Sequence, residues 1–166
     1  MDVFDERDFQ ILLELDRNCR QSLVALKEKL RIPIETLRYR IQRLKDSGLI
    51  KNFLTVIDGG HLGFYYYKVF FKLYNVNQAI IKKLIEELIT HPQICWVIAI
   101  DGNYDLAFTP RVSNPLEQSI LLDDLRSKYS KYIRRWSLSV NIKMDFFARD
   151  YLLGVKERPK GLGSYS

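Results

Sequence analysis

The chain has 166 residues, of which 47% are hydrophobic, enough for one ordinary domain or two small ones and too many for wholesale disorder. Its formal net charge of +6 favours polyanionic partners. No apolar stretch approaches the roughly 18 residues of a membrane span, and no signal-like segment begins the chain, so we expect a cytoplasmic protein without membrane association. Cys19 and Cys95 form no C-x-x-C pair, so we expect inert thiols and no metal site.

Three short helices are predicted within the first 50 residues. Asp5 is placed to cap the first helix and Ser22 the second. Pro33 stands at the start of the third helix, where its missing N–H costs nothing. Because the last two helices are joined by a tight link, this segment predicts a helix-turn-helix unit.

The third helix, predicted over Ile34 to Leu49 and ended by Gly48, has two contrasting faces. Its apolar stripe has the spacing of a helix packed on a core: Leu37, Ile41 and Leu44. Rotated away from it are long polar side chains: Glu35, Arg38, Tyr39, Gln42 and Arg43. Since Arg can donate two hydrogen bonds to a guanine edge and Gln can pair with adenine, these residues predict a helix that reads DNA. Arg40 lies beside the apolar stripe and is expected to be structural or to contact the DNA backbone.

The charge is unevenly distributed along this region. Residues 1–16 carry six acids against one base, a net charge of −5. Residues 17–51 carry ten bases against three acids, a net charge of +7. The basic surplus therefore lies in the segment that contains the predicted reading helix, as expected of a protein that neutralises phosphates.

The second half alternates between strand and helix patterns. Leu49 to Ile57 is rich in β-formers and ends at the turn signal Asp58-Gly59-Gly60, which predicts a wing or connecting strand. Further strands are predicted at Tyr65–Tyr74, Ile94–Ile100, Tyr104–Val112 and Arg135–Phe146, with helices at Asn77–Thr90 and after the Asn114 cap. Ile94–Ile100 is apolar on both faces and should be covered on both. Pro110 predicts a bulge or a frayed end. The inner stripe of the last helix is predicted to be Leu116, Ile120, Leu121 and Leu125.

This order of elements predicts an α+β fold with a ferredoxin-like βαββαβ domain behind the helix-turn-helix. Two helices cover only one face of such a sheet, and the other face would expose many aromatic side chains. Patches of that kind usually mark association. We therefore expect a homodimer that forms through the open sheet face.

Two sets of residues resemble one family. Phe4-Asp5-x-x-Asp8-x-x-Ile11-Leu12-x-x-Leu15-x-x-Asn18-x-Arg20, followed by Arg40-Ile41-x-x-Leu44-x-x-x-Gly48-Leu49-Ile50-Lys51, resembles the N-terminal domain of the Lrp/AsnC (leucine-responsive, feast/famine) transcriptional regulators. Gly102-Asn103-Tyr104-Asp105-Leu106 is similar to a turn of their effector domain. The resemblance covers about residues 4–145. It implies a winged helix-turn-helix joined to a RAM-type effector domain, dimers that often assemble further, and regulation by an amino acid or similar metabolite without a cofactor. The sequence departs from the family's usual small residue, Gly and Ser at Lys27, Arg31 and Pro33.

These observations predict two sites. The DNA-binding site, for double-stranded DNA, comprises Ser22, Arg31, Glu35, Arg38, Tyr39, Gln42, Arg43 and Lys51. The effector site comprises Gly102, Asn103, Tyr104 and Asp105, although the same residues are good formers of a plain hairpin turn. The predicted domains are residues 1–53 for DNA binding, 54–63 for the connection, 64–146 for the effector domain and 147–166 for a tail or linker.

Two other functions are compatible with this architecture. One is an enzyme similar to the siroheme decarboxylases, which typically carry a His-x-Tyr-x-Arg cluster just before the strand that follows the turn. The equivalent segment here, Trp96 to Asn103, has neither His nor Arg, so we expect no enzymatic activity. The other is an interaction module with a degenerate helix-turn-helix, which the departures at Lys27, Arg31 and Pro33 keep open. His61 and His91 are expected to be loop residues.

Overall fold

The computed structural model describes residues 4–153 and 163–165. The chain forms two compact units: one contains the residues up to Ile57 and the segment from Asp145 to Ser164, and the other is built on Asp58–Met144. The division after Ile57 lies within the predicted 54–63 connection. The chain passes between the units after Ile57, after Met144 and again after Ser164.

The first unit contains three helices, α1 (Glu6–Arg17), α2 (Leu23–Leu30) and α3 (Ile34–Asp46). The predicted caps form, because Asp5 accepts a hydrogen bond from the Asp8 N–H and Ser22 accepts one from the Ala25 N–H. A small core is made by apolar side chains of all three helices and of the turn between α2 and α3: Ile11, Leu15, Leu26, Ile32, Leu37 and Leu44. This core holds α2 and α3 as a helix-turn-helix.

The left-handed stop predicted at Gly48 is confirmed by its φ of 74°. Two other predictions for this segment were wrong. The helix ends at Asp46, with Ser47 as its C-cap, three residues before Leu49. Leu49–Ile57 forms no strand. The β-forming side chains of this segment are largely exposed, and no neighbouring strand provides the ladder hydrogen bonds that a wing needs.

The predicted tail, 147–166, is described as far as Leu153 and again over the strand Gly163–Tyr165; residues 154–162 and Ser166 lie outside the described part. A short 3₁₀-helix at Asp150–Leu153 packs against α1. Arg149 binds Asp16 through both its backbone N–H and its guanidinium. Residues 147–153 therefore belong to the helical unit, whereas Tyr165 belongs to the other unit.

The second unit is a four-stranded antiparallel sheet with two helices on one face. Its elements are β1 (Tyr65–Leu73), α4 (Gln78–Thr90), β2 (Ile94–Ala99), β3 (Leu106–Val112), α5 (Pro115–Lys128) and β4 (Ile133–Val140). The strand order is β2-β3-β1-β4, as predicted for a ferredoxin-like domain. Val69 and Phe71 of β1, Leu106 and Phe108 of β3, and the inner faces of both helices form the core.

The edge strands differ from their predictions. The last strand stops at Val140, and after a break over residues 141–143 a separate strand β5 (Met144–Phe146) pairs with β6 (Gly163–Tyr165). The prediction that β2 is covered on both faces was wrong, because β2 is an edge strand with no helix over one face, which leaves Trp96 and Ile98 about 40% exposed. The bulge expected at Pro110 is confirmed by a register shift where β2 pairs with this residue.

Helix α5 is rotated relative to its predicted orientation. Leu121 and Leu125 are buried as expected, but Leu116 and Ile120 are more than 60% exposed. Gln118 and Leu122 take their places on the buried face. Apolar residues surround much of this helix, so the sequence pattern does not determine which side faces the core. The packing of the helix against the sheet determines it.

No helix in the described ranges is long and apolar enough to cross a bilayer.

Candidate nucleic-acid interface

The outer face of α3 presents an unbroken polar surface. Glu35, Arg38, Tyr39 and Gln42 are all exposed, with Tyr39 67% exposed, while Leu37 and Leu44 on the opposite side are fully buried. The four exposed residues follow the i, i+3, i+4, i+7 spacing that aligns side chains on one side of a helix. Their contacts are weak or local: Arg38 lies 3.8 Å from Glu35, and the Gln42 amide donates to Asp46 at 2.8 Å. These side chains can exchange their surface contacts for base edges at little cost.

Arg43 lies apart from this surface. Its Nη2 donates to Oδ2 of Asp8 at 2.5 Å, and its guanidinium is over the ring of Phe4. Only 34% of the side chain is exposed. The structure thus places Arg43 against α1, whereas the sequence pattern grouped it with Arg38 on the reading face.

Asp8 is the centre of a charge cluster that fixes α3 to α1. Its carboxylate is fully buried and also accepts a hydrogen bond from Arg40 Nη1 at 2.8 Å. Arg40 binds Asp5 at 2.7 Å as well, which confirms the expectation that Arg40 is structural. A buried carboxylate requires such pairing, because an unpaired charge in the interior costs several kcal/mol.

Asp5 completes this cluster from the end of α1. Its carboxylate caps the Asp8 N–H while the Asp8 carboxylate accepts from the Asp5 N–H, a reciprocal capping box. The hydrogen bond from Arg40, followed by that from the Asp8 backbone, lowers the pKa of Asp5 to about 2. Sequence reasoning found the Asp5 cap but missed the role of Asp8. The available signal was an acidic residue at the capping-box position followed by two arginines on the third helix.

The turn that leads into α3 has an unusual backbone. Arg31 adopts a left-handed conformation with φ 55° and ψ 36°, and its N–H donates to the Lys27 carbonyl at 2.8 Å. This geometry explains why a glycine suits the position, since a side chain with a Cβ is strained there. Pro33 then occupies the N-cap of α3 without a side-chain cap. The turn closes around Ile32, which is buried.

The remaining predicted DNA contacts surround α3. Ser22 is occupied by its capping hydrogen bond at the start of α2. Arg31, Lys51 and Lys27 are exposed and form no ion pair with other described residues. By contrast, four acids of the N-terminal segment bind bases within the unit: Asp5, Asp8, Glu14 and Asp16. The outward charge of this surface is therefore positive.

Comparison with known proteins identifies the architecture. Residues 4–51 match the family model of winged helix-turn-helix DNA-binding domains. An HTH-type transcriptional regulator of Pyrococcus abyssi is 31% identical over 127 residues, which cover 75% of this chain and 85% of that protein. The chain belongs to the Lrp/AsnC family of transcriptional regulators.

Solved structures show the same Lrp/AsnC fold. LrpC of Bacillus subtilis aligns over 85% of this chain and 96% of its own with a TM-score of 0.67 and 23% identity. A transcriptional regulator of Neisseria meningitidis, solved as a complex with L-Met, aligns over 89% and 95% with a TM-score of 0.76 and 17% identity. The Lrp/AsnC protein described here is accordingly a DNA-binding transcriptional regulator. The similar proteins are regulators, so the enzyme alternative has no support.

The predicted effector residues of this Lrp/AsnC regulator lie in the β2–β3 connection. Asp105 accepts hydrogen bonds from Lys72 Nζ at 2.8 Å and from the Leu73 N–H at 2.7 Å. Partial burial opposes ionisation of Asp105, but these hydrogen bonds outweigh it and lower its pKa. The carbonyls of Gly102 and Asn103 are also used, by Lys72 and Arg135. Much of this loop is therefore tied to β1 and β4.

The loop has backbone N–H groups that are available to a ligand. The N–H groups of Gly102, Asn103 and Tyr104 donate no hydrogen bond to any described residue. Gly102 has a φ of 143° and is exposed, as is Asn103. Arg135 stacks on the Tyr104 ring at 5.0 Å. Exposed N–H groups beside a guanidinium can bind a carboxylate.

Proposed function

We propose that this Lrp/AsnC regulator recognises specific DNA sequences in the cytoplasm through the exposed face of α3. Arg38, Tyr39 and Gln42 would contact base edges, with Glu35 at the start of the same face. Arg31 and Lys51 would contact phosphates, and Ser22 would position the start of α2. The observation that carries the proposal is that two arginines of α3 differ in their contacts: Asp8 binds Arg43, while Arg38 faces outward.

The test is DNA affinity measured by fluorescence anisotropy on fragments that the full chain selects from genomic DNA. Arg38→Ala should weaken specific binding by roughly 1–3 kcal/mol and relax the sequence preference. Lys51→Ala should weaken binding to all sequences and lower the salt slope by about one. Arg126→Ala is the matched control, because this exposed arginine of α5 is paired with Asp123 in the other unit.

Two results would contradict this assignment. Binding that does not weaken with salt would exclude phosphate neutralisation, since released counterions impose that dependence. An Arg38→Ala variant that behaves like Arg126→Ala would remove α3 as the reading element and would favour the interaction module with a degenerate helix-turn-helix.

We further propose that a small metabolite modulates the regulator at the Gly102–Asp105 loop. The exposed N–H groups and the nearby Arg135 support a ligand with a carboxylate, and the L-Met complex of the Neisseria meningitidis protein supports an amino acid. Selection of genomic DNA with and without free amino acids would identify the ligand. If none of the twenty amino acids alters the selected fragments, this site has no amino acid effector.

The open face of the sheet supports a homodimer, and the assembly of such dimers into larger oligomers is part of this proposal. Trp96, Ile98 and Phe70 lie on this face, which no helix covers. Lys68 stacks 3.6 Å from the Trp96 ring, and Thr109, which pairs with Trp96 across the sheet, is buried. An apolar face of this kind is normally covered by a partner.

A further inference from the structure

A cavity of about 350 Å³ lies in the sheet unit, away from the Gly102–Asp105 loop. It is formed where the segment before β1 meets the segment after β4. Aromatic and aliphatic side chains make most of its wall: Phe64, Tyr65, Tyr66, Val140, Ile142 and Met144. The volume is at the lower end of the roughly 300–1,000 Å³ found for small-molecule sites. The cavity therefore suits one compact apolar group such as a single ring.

The polar part of the wall determines the charge of the ligand. Lys143 contributes an ammonium group and Asn141 an amide, and the wall contains no acidic side chain. An ammonium has three N–H donors, so it can bind a ligand carboxylate in addition to another partner. The wall offers no carboxylate to the α-ammonium of an amino acid, and the adjacent Asp58 carboxylate already binds the Gly60 N–H and the His61 ring. The wall thus favours an apolar carboxylic acid over the corresponding amino acid.

One wall is held rigidly before any ligand binds. Gly59 is buried, and a Cβ at this residue would lie 2.0 Å from the Tyr66 hydroxyl, so the Tyr66 side chain packs directly on the glycine. The Gly59 carbonyl accepts hydrogen bonds from the N–H groups of Leu62 and Phe64, each at 3.0 Å. A preformed wall lowers the entropic cost of binding.

The same segments connect the two units of the chain. The cavity wall begins three residues after Ile57 and ends at Met144, and the chain passes between the units at both of these points. We propose that this cavity binds a small aromatic or branched carboxylic acid without an α-ammonium group, such as a 2-oxo acid, and that the bound ligand alters DNA affinity by ordering both connections. The effect on DNA rests on the proposed function, whereas the binding itself does not.

The test is calorimetric titration of the full chain with phenylpyruvate and with L-phenylalanine. Phenylpyruvate should bind with one site per chain, and L-phenylalanine at least about tenfold more weakly, given the missing charge partner. Val140→Phe fills the cavity and should abolish binding. Leu138→Phe is the matched control, because Leu138 is on the same strand and side of the sheet but outside the wall, and should retain it. Lys143→Met, at an exposed residue, should weaken phenylpyruvate binding about tenfold without affecting folding.

Three outcomes would overturn the proposal. The first is no binding of phenylpyruvate to the folded chain, and the second is binding that Val140→Phe and Lys143→Met leave unchanged. The third is binding that Asn103→Ala abolishes, which would place the ligand at the other loop. Binding to the cavity without a change in DNA affinity would overturn the coupling, and an absence of DNA binding altogether would instead contradict the proposed function.

Discussion

Asp8 shows how one residue determines the role of others. Its carboxylate is fully buried, accepts a hydrogen bond from the Asp5 N–H at the start of α1, and binds Arg40 and Arg43 of α3. These contacts orient the reading helix relative to α1 and withdraw Arg43 from its outer face. The Arg43 side chain is therefore positioned by a residue that lies 35 positions away in the sequence.

Replacing Asp8 tests this role. Asp8→Asn should lower the free energy of unfolding by about 2–3 kcal/mol, near the lower end for a broken buried pair because both arginines retain some solvent contact. Urea denaturation measures the loss. Asp123→Asn, which removes an exposed partner of Arg126, should cost about 0.5 kcal/mol or less. Equal losses in the two variants would show that the buried cluster does not stabilise the helical unit.

At the scale of elements, the turn from Arg31 to Pro33 sets the direction of α3. The sequence marked this turn as a departure from the family, and the left-handed φ of Arg31 gives the physical reason why glycine is usual there. The helix-turn-helix forms nevertheless, since the buried Ile32 and the core beneath α3 compensate for the strain.

A comparison of Arg31→Gly with Arg31→Ala separates the backbone strain at this residue from the charge of its side chain. The Arg31→Gly variant should raise the free energy of unfolding by about 1 kcal/mol, because glycine adopts this conformation without the steric penalty. It should also weaken DNA binding through the lost phosphate contact. Arg31→Ala is the control, since it removes the same charge but keeps a Cβ, and it should weaken DNA binding without the gain in stability. Equal free energies of unfolding of the two variants would contradict the presence of backbone strain at Arg31.

The elements also show the limits of a local pattern. Caps and periodicity located the α-helices α1 to α5 and the strands β1 to β4 to within a few residues, but not the short 3₁₀-helix at Asp150–Leu153. They misplaced the buried side of α5, the end of β4 and the strand expected at Leu49–Ile57. Each of these errors concerns a partner elsewhere in the chain, such as a sheet to pack on or a strand to pair with.

For the whole molecule, the open sheet face gives a prediction about assembly. Ile98→Glu places a charge on this face and should weaken self-association by at least about tenfold, since burying an unpaired carboxylate is costly. Ile89→Glu makes the same change on the exposed side of α4, where Ile89 is 64% exposed, and should have no effect. Sedimentation velocity over a range of concentrations compares them. A dimer that survives Ile98→Glu uses another surface.

Acid should destabilise both units of the molecule. The pKa of Asp5 is lowered to about 2, chiefly by the Arg40 hydrogen bond, and hydrogen bonds from Lys72 and the Leu73 N–H lower that of Asp105 despite its partial burial. The folded state therefore binds fewer protons than the unfolded state, so stability falls as the pH drops from about 4 towards 2. Urea denaturation across this range measures the fall. Asp5→Asn should flatten the pH dependence of the helical unit, and an unchanged profile would exclude Asp5 as a source of it.

The sequence by itself determined the helix-turn-helix, the order of the sheet elements and the family. Helix caps, turns and periodicity depend on residues that are close together in the sequence, so they can be recognised without knowledge of distant contacts. Only the tertiary structure distinguished Arg38 from Arg43. Both are long basic side chains on the polar side of one helix, and only the packing of α1 against α3 brings Asp8 to one of them. The buried charge of Asp8 needs partners, and that requirement directed Arg43 towards Asp8 and left Arg38 exposed.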